Sequence, residues 1–311
     1  MFTDPSLGFL APWGGLSHAA VTEFVTADPL AFDAEATRRR LSADAVVPQS
    51  MASHAVAVLS HEALSSRPHH GFYYAPYVAQ RLKATFPKAR LLLIFREQKS
   101  IIRSLYGEHV RNGGRMTISE FVGTGHEPPG WASLCRLPFF EYDRLISMYR
   151  NVFGDENVLV LPLETLRNSP LEFLNRILAF CDLPDAAWVK TEAANKSWGA
   201  STVELIRKLN APFRKRPLSP DQGLLRRTAF RAAYLFDDLT PPSLHARREA
   251  DIRNIIAERV GDYFGRSNLR LAEMTGLDLR GLGYDLPKAN DPSGSATVMK
   301  RDHAASITGS I

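Results

Sequence analysis

With 311 residues, 45% hydrophobic and 23% charged, the chain has an ordinary globular composition and enough length for one large domain. It holds no run of about 18 apolar residues, which excludes a spanning helix of the usual kind, and Met1-Phe-Thr-Asp-Pro5 lacks the basic-then-apolar form of a signal peptide. The net charge of +5 favours anionic partners, and two cysteines, Cys135 and Cys181, are too few for a disulfide framework and fit reduced thiols of a cytoplasmic protein.

Residues 1–45 show no strand signal; Asp28-Pro-Leu30 and Phe32–Leu41 predict helices, with Asp33 as an N-cap. Ala55–Leu59 is the first expected strand, with Ser60-His61-Glu62 at its carboxyl end. Tyr74–Phe86 predicts an amphipathic helix that Pro87 ends. Leu91–Phe95 is a second strand, apolar throughout as if buried on both faces, and its helix runs to about Asn112, where two glycines stop it. Thr117-Ile-Ser-Glu120 is a capping box; Gly123–Leu137 reads as a loop that offers Trp131 and Arg136 to a ligand. Phe140–Val152 has helical spacing, Asn157–Leu161 is a third strand, and Ser169-Pro170-Leu-Glu172 is a second capping box opening a helix to Cys181. A helix starts at Ser201-Thr-Val-Glu204, Pro212–Pro220 is a basic connector, and Ser243–Phe264 predicts one long helix. The tail 287–311 is small, polar and aperiodic, as in a disordered segment, leaving residues 1–286 as a single domain. Strands alternating with helices predict an α/β fold, a parallel β-sheet flanked by helices with a helical C-terminal part.

Arg96 follows the Leu91–Phe95 strand directly, at the carboxyl edge where open α/β sheets hold ligands. Ser104 lies eight residues on, along the next helix. An arginine and a hydroxyl beside a helix start suit a phosphate; a surface ion pair for Arg96 and a back-bonded helix serine for Ser104 are the alternatives. Eight bases between Ser201 and Tyr234 face only Glu204 and Asp221. This Arg207–Arg231 stretch fits either a solvated helical face or peripheral contact with an anionic surface. A nucleic-acid role has charge behind it but no motif. His69-His70 lack a third ligand at sensible spacing, so no metal is expected.

The Arg96…Ser104-Leu-Tyr106 stretch, Tyr142-Asp-Arg-Leu…Tyr149-Arg-Asn-Val-Phe-Gly154, Asn157-Val-Leu-Val-Leu-Pro-Leu-Glu164 and Leu174–Leu183 occur in an order that resembles the sulfotransferases dependent on 3′-phosphoadenosine 5′-phosphosulfate. The resemblance covers roughly residues 55–200. It implies a P-loop nucleotide-kinase-like fold and transfer of a sulfuryl group from that co-substrate, without metal, to a hydroxyl or amine of unknown identity. It also implies that Arg96 and Ser104 bind the donor's 3′-phosphate, and Asn195-Lys196-Ser197 matches a polar turn near the donor. Gln98 and Ile101 stand where the family carries a proline and a second arginine; Arg103 is the substitute for the missing charge. Glu62, then His61, are the candidate general bases, and Glu164 reads as a strand-end hydrogen-bonding residue. The family's initial strand and Pro-Lys-Ser/Thr-Gly-Thr-Thr loop are not found: Pro12-Trp-Gly-Gly15 lacks the lysine and the hydroxyl pair. Either the chain starts after that loop, which is favoured, or the loop is lost, which would leave a non-catalytic nucleotide- or partner-binding relative.

Overall fold

A computed structural model describes residues 4–14, 17–46, 55–189, 198–210 and 224–287. In chain order these form β1 (Phe9–Leu10), α1 (His18–Ala20) continuing as a π-helical stretch Val21–Thr26, α2 (Ala34–Ala43), β2 (Val56–Ala57), α3 (Ala75–Thr85), β3 (Leu91–Phe95), α4 (Gln98–Arg111), α5 (Ile118–Val122), α6 (Tyr142–Phe153), β4 (Val158–Pro162), α7 (Leu163–Asn168), α8 (Pro170–Phe180), α9 (Ala200–Leu209), α10 (Leu224–Leu239), α11 (Pro242–Val260) and α12 (Gly265–Thr275). Single 3-10 turns at Glu62–Ser65 and Pro68–His70 bridge β2 to α3. The described chain is therefore mainly helical, with two parallel strand pairs, β1–β2 and β3–β4. The tail 288–311 lies outside the described residues.

The β1 strand corrects the expectation of no strand before residue 45. It is only two residues long, and Phe9 and Leu10 register with Val56 and Ala57. The ladder extends by Val56 N–H to Gly8 O (2.9 Å) and Val58 N–H to Leu10 O (2.7 Å). Phe9 of β1, Leu161 of β4 and the α8 stripe Phe173, Leu174, Ile177 and Leu178 close one apolar cluster, which Val56, Val58 and Leu92 border. Each such side chain contributes about 1.5–3 kcal/mol on burial, so one helix holds both strand pairs. On α8 Pro170 takes the first helical position as expected, but Ser169 makes no side-chain cap bond, so the second capping box does not form. The first does: Thr117 and Glu120 satisfy each other's backbone amides.

The face opposite α8 carries the main core, built by Phe95, Ile102, Tyr106, Phe121, Ile146 and Ile256 from β3, α4, α5, α6 and α11. Because strand side chains alternate, Leu91, Leu93 and Phe95 belong to this core while Leu92 faces α8. Ile94, on the Leu92 side, is 46% exposed. The strand is thus not buried on both faces: its α8 side is uncovered at the carboxyl end. The long helix expected from Ser243 to Phe264 stops at Val260, where Gly261 adopts φ +51°, a conformation that favours glycine. A separate helix, α12, then packs on α6, its Arg270 and Ser267 both bonded to the buried Asp143.

Candidate functional site

Two groups of polar side chains gather at the carboxyl ends of the strand pairs. The first follows β1 and β2. Gly14, at φ +86°, turns the chain after β1, and Ser17 then caps α1 by accepting the Ala20 N–H at 3.1 Å. The Ser17 N–H donates to the Ser60 carbonyl (3.2 Å), tying the α1 start to the β2 end. His18 thereby meets His61, ring centroids 6.0 Å apart. A strand, turn and helix therefore precede β2, and the Trp13 indole N–H donates to Leu41 O at 2.7 Å.

His61 accepts the Ala63 N–H at Nδ1 (3.0 Å), as the N-cap of the Glu62–Ser65 turn. A neutral imidazole that accepts at Nδ1 carries its proton on Nε2. Burial, with Arg67 and His18 also present, holds the ring below the ordinary histidine range against the pull of Glu62. His61 therefore offers an Nε2–H donor and has no spare lone pair for a proton. Glu62 beside it is exposed, and its carboxylate has no hydrogen bond or ion pair among the described residues. Past them Ser66 is strained at φ +125°, and its Oγ accepts both the Tyr74 and Ala75 N–H at the α3 start.

The 3-10 turn Pro68–His70 packs against α4, bringing His69, His70 and His109 together. His69 and His70 ring centroids are 4.3 Å apart, and His109 Nδ1 lies 3.0 Å from the His69 carbonyl. Burial, then the neighbouring His70, Arg67 and His109, push His69 down to about 4. Unfolding returns it to about 6.5, so the unfolded chain binds more protons between those values and stability falls as pH falls. His69 alone should cost about 2 kcal/mol between pH 7 and pH 5, and urea melts of wild type and His69→Asn should show that difference in slope. Equal slopes for the two would refute it.

The second group follows β3 and β4. The half-buried Arg96 guanidinium makes no hydrogen bond or ion pair among the described residues, and its Nε is enclosed without a partner. Burial and the nearby Arg167 push it down from the ordinary arginine range; Glu164 and Glu97 oppose that. Its backbone is fixed by Tyr142, whose hydroxyl donates to Arg96 O at 2.8 Å. Glu164 accepts from Glu97 N–H (3.1 Å) and the Tyr284 hydroxyl (3.0 Å), the strand-end bonding role read from the sequence.

The start of α4 differs from the expected phosphate seat. The Glu97 carboxylate accepts the Lys99 and Ser100 N–H groups at 2.8 and 2.7 Å, so this helix start is already filled by an anion of the chain itself. A ligand phosphate here must be held by side chains. Ser104 is exposed on α4, opposite the buried Ile102 and Tyr106. Arg103 is committed to Glu249 of α11, with bonds of 2.8 and 2.7 Å. Lys196 lies outside the described residues. Among these residues no hydrogen bond, ion pair or ring contact links the His61–Glu62 group to the Arg96 group. Trp131 is exposed, whereas Arg136 stacks over the Tyr73 ring at 5.2 Å. His18, Arg167 and the Glu97 cap were missed; an acidic residue immediately before a helical run is the signal for the last.

Among the described residues no group of three His, Cys, Asp or Glu side chains could hold a metal ion, and no helix is long and apolar enough to cross a membrane. No protein-family model matches the chain, and no curated protein matches it. A solved structure, that of a sulfotransferase from Alicyclobacillus acidocaldarius, is 16% identical over 85% of each chain with a TM-score of 0.47, a likeness too distant to carry fold or activity across.

Proposed function

We propose that this chain binds 3′-phosphoadenosine 5′-phosphosulfate and moves its sulfuryl group to a hydroxyl or amine of a carbohydrate, lipid or small molecule. The observation that carries the binding half is the half-buried Arg96, its Nε unpartnered, directly after the carboxyl end of β3. A half-buried guanidinium without a hydrogen-bond partner among the described residues favours an anionic ligand. The sequence resemblance supplies its identity: the 3′-phosphate, with Ser104 as a further donor. Ile94, exposed on the same strand face two residues earlier, offers apolar surface to the rest of the nucleotide.

In the transfer step the acceptor oxygen or nitrogen attacks sulfur in line as the bond from sulfur to the 5′-phosphate oxygen breaks. The acceptor proton passes to Glu62, and the adenosine bisphosphate leaves with the released charge. The His61 Nε2–H serves as a donor to the oxygens that gain charge. Pro12-Trp-Gly-Gly15 supports a second reading, binding without transfer, because it lacks the lysine that would stabilise the leaving phosphate.

Calorimetry with adenosine 3′,5′-bisphosphate tests what both readings share. Binding is expected, and Arg96→Ala should weaken it roughly 10–100-fold, the worth of a charged hydrogen bond. No binding by the wild type sinks both readings. Incubation with donor radiolabelled in sulfur and a pool of carbohydrates, lipids and phenols then separates them: label in an acceptor supports transfer, and binding without label movement supports the second reading.

A further inference from the structure

After α12 the chain turns back over the end of β3 and delivers the buried Tyr284 there. Leu279, also buried, anchors the turn, and its carbonyl accepts the Tyr284 N–H at 3.0 Å. One residue on, the Asp285 carboxylate pairs with Lys99 at the start of α4 (2.5 Å), and the Asp285 carbonyl accepts from Asn268 at 2.9 Å. The Tyr284 ring meets Phe95 edge-on, centroids 5.8 Å apart, and its hydroxyl donates to Glu164 Oε2 at 3.0 Å. The other carboxylate oxygen of Glu164 accepts the Glu97 N–H at 3.1 Å. These bonds leave a neighbouring pair unmade. Phe95 and Pro162 are the last residues in register between β3 and β4, so Arg96 and Glu164 leave adjacent strands within two residues of that pair. An arginine and a carboxylate so placed can form a two-bond fork, yet no hydrogen bond or ion pair joins them, and Arg96 Nε is enclosed without a partner among the described residues. A fork needs both carboxylate oxygens on one edge, and here each is drawn to a different donor.

We infer that Tyr284 is a positioning residue that holds Glu164 off Arg96, so that the guanidinium stays available to an anionic ligand instead of being neutralised by its own chain. This role deepens the anion binding proposed for Arg96 and rests on that reading for its ligand. Removing the hydroxyl leaves Glu164 Oε2 in a half-buried place without its donor, and the unpartnered guanidinium next to it is the group that would satisfy it. A ligand would then have to displace a carboxylate before it could bind. Burial, with Glu164 beside it, pushes the Tyr284 hydroxyl up from the ordinary tyrosine range, so the proton that makes this bond stays in place.

Tyr284→Phe in the full chain keeps the ring against Phe95 and removes only the hydroxyl. It should weaken adenosine 3′,5′-bisphosphate binding about tenfold in calorimetry. It should also slow phenylglyoxal labelling of Arg96, followed by mass spectrometry of its peptide, severalfold. Adding Glu164→Gln removes the competing charge and should restore both, by a larger factor than the same change brings to the wild type. Unchanged binding or unchanged labelling in Tyr284→Phe overturns the inference. So does a loss that Glu164→Gln relieves no more than it improves the wild type, which is the behaviour of a merely structural tyrosine. If the wild type does not bind the bisphosphate, the nucleotide reading falls by itself, and the labelling series still decides whether Tyr284 keeps Arg96 open.

Discussion

Replacing Arg81 by alanine is expected to destabilise the chain by about 3 kcal/mol or more, the largest single effect outside the proposed catalytic group. Arg81 stands on α3 with only 4% of its surface exposed. Its guanidinium donates to the carbonyls of Phe24 (3.3 Å), Ala27 (3.1 Å) and Asp28 (3.2 Å), which end the π-helical stretch and begin the following turn. Phe32 and Tyr77 sandwich it at 4.4 and 4.0 Å from their ring centroids. Burial pushes the group down from the ordinary arginine range, with Asp28 acting against it. The cation is therefore held by carbonyl dipoles and ring faces, with no carboxylate hydrogen-bonded to it. Alanine removes three hydrogen bonds, although the Asp28 carbonyl still accepts the Ala31 N–H, and opens a void; methionine keeps most of the volume and should recover part of the loss. Lysine cannot reproduce the fork and should fall between them. For a domain of this size the alanine variant should melt roughly 6–12 °C lower. Calorimetry showing a shift under about 2 °C would refute this account. The same variant should also loosen Ser17 and His18, because Arg81 holds the end of the helix they start to α3 alongside the Phe24–Val78 packing.

Arg81 also marks where reading the sequence stops. An arginine inside an amphipathic helix is ordinarily assigned to its wet face, and nothing local reveals that a neighbouring helix ends over it. What was legible followed from local periodicity. Leu91–Phe95 is observed with the same bounds, the Ala75–Thr85 helix differs from expectation by one residue at each end, and Gln98–Arg111 ends one residue before the expected stop, because apolar runs, Pro87 and the Gly113-Gly114 pair act on their own neighbours. β1 was illegible: two residues carry no period, and their strand state is fixed by pairing with Val56 and Ala57, far away in sequence. The exposure of Ile94 was hidden for a related reason, since composition reports apolarity but cannot say how far α8 reaches. Of the candidate site, the place of Arg96 at a strand end was readable, whereas Arg103's commitment to Glu249 spans 146 residues and depends on tertiary packing. Helix α10 was not among the elements expected from the sequence, and its buried side depends on which residues Gly199 and Thr202 engage.

Glu62→Gln should lower sulfuryl transfer by about 10²–10⁴, the ordinary worth of a general base, while leaving adenosine 3′,5′-bisphosphate binding near the wild-type value. The contrast with His61 separates the two candidates that the sequence left in order of preference. If His61 acts only as an Nε2–H donor, His61→Gln keeps a donor near that position and should retain more activity than His61→Ala. A histidine base would behave in the opposite way: either His61 substitution would abolish transfer and Glu62→Gln would leave it near the wild-type rate. The geometry favours the first outcome. The Nδ1 lone pair of His61 holds the Ala63 N–H, and taking up a proton there would break the cap of the Glu62–Ser65 turn that presents Glu62 itself. A base that must dismantle its own support to accept a proton is a poor base, and the exposed carboxylate one residue on carries no such cost.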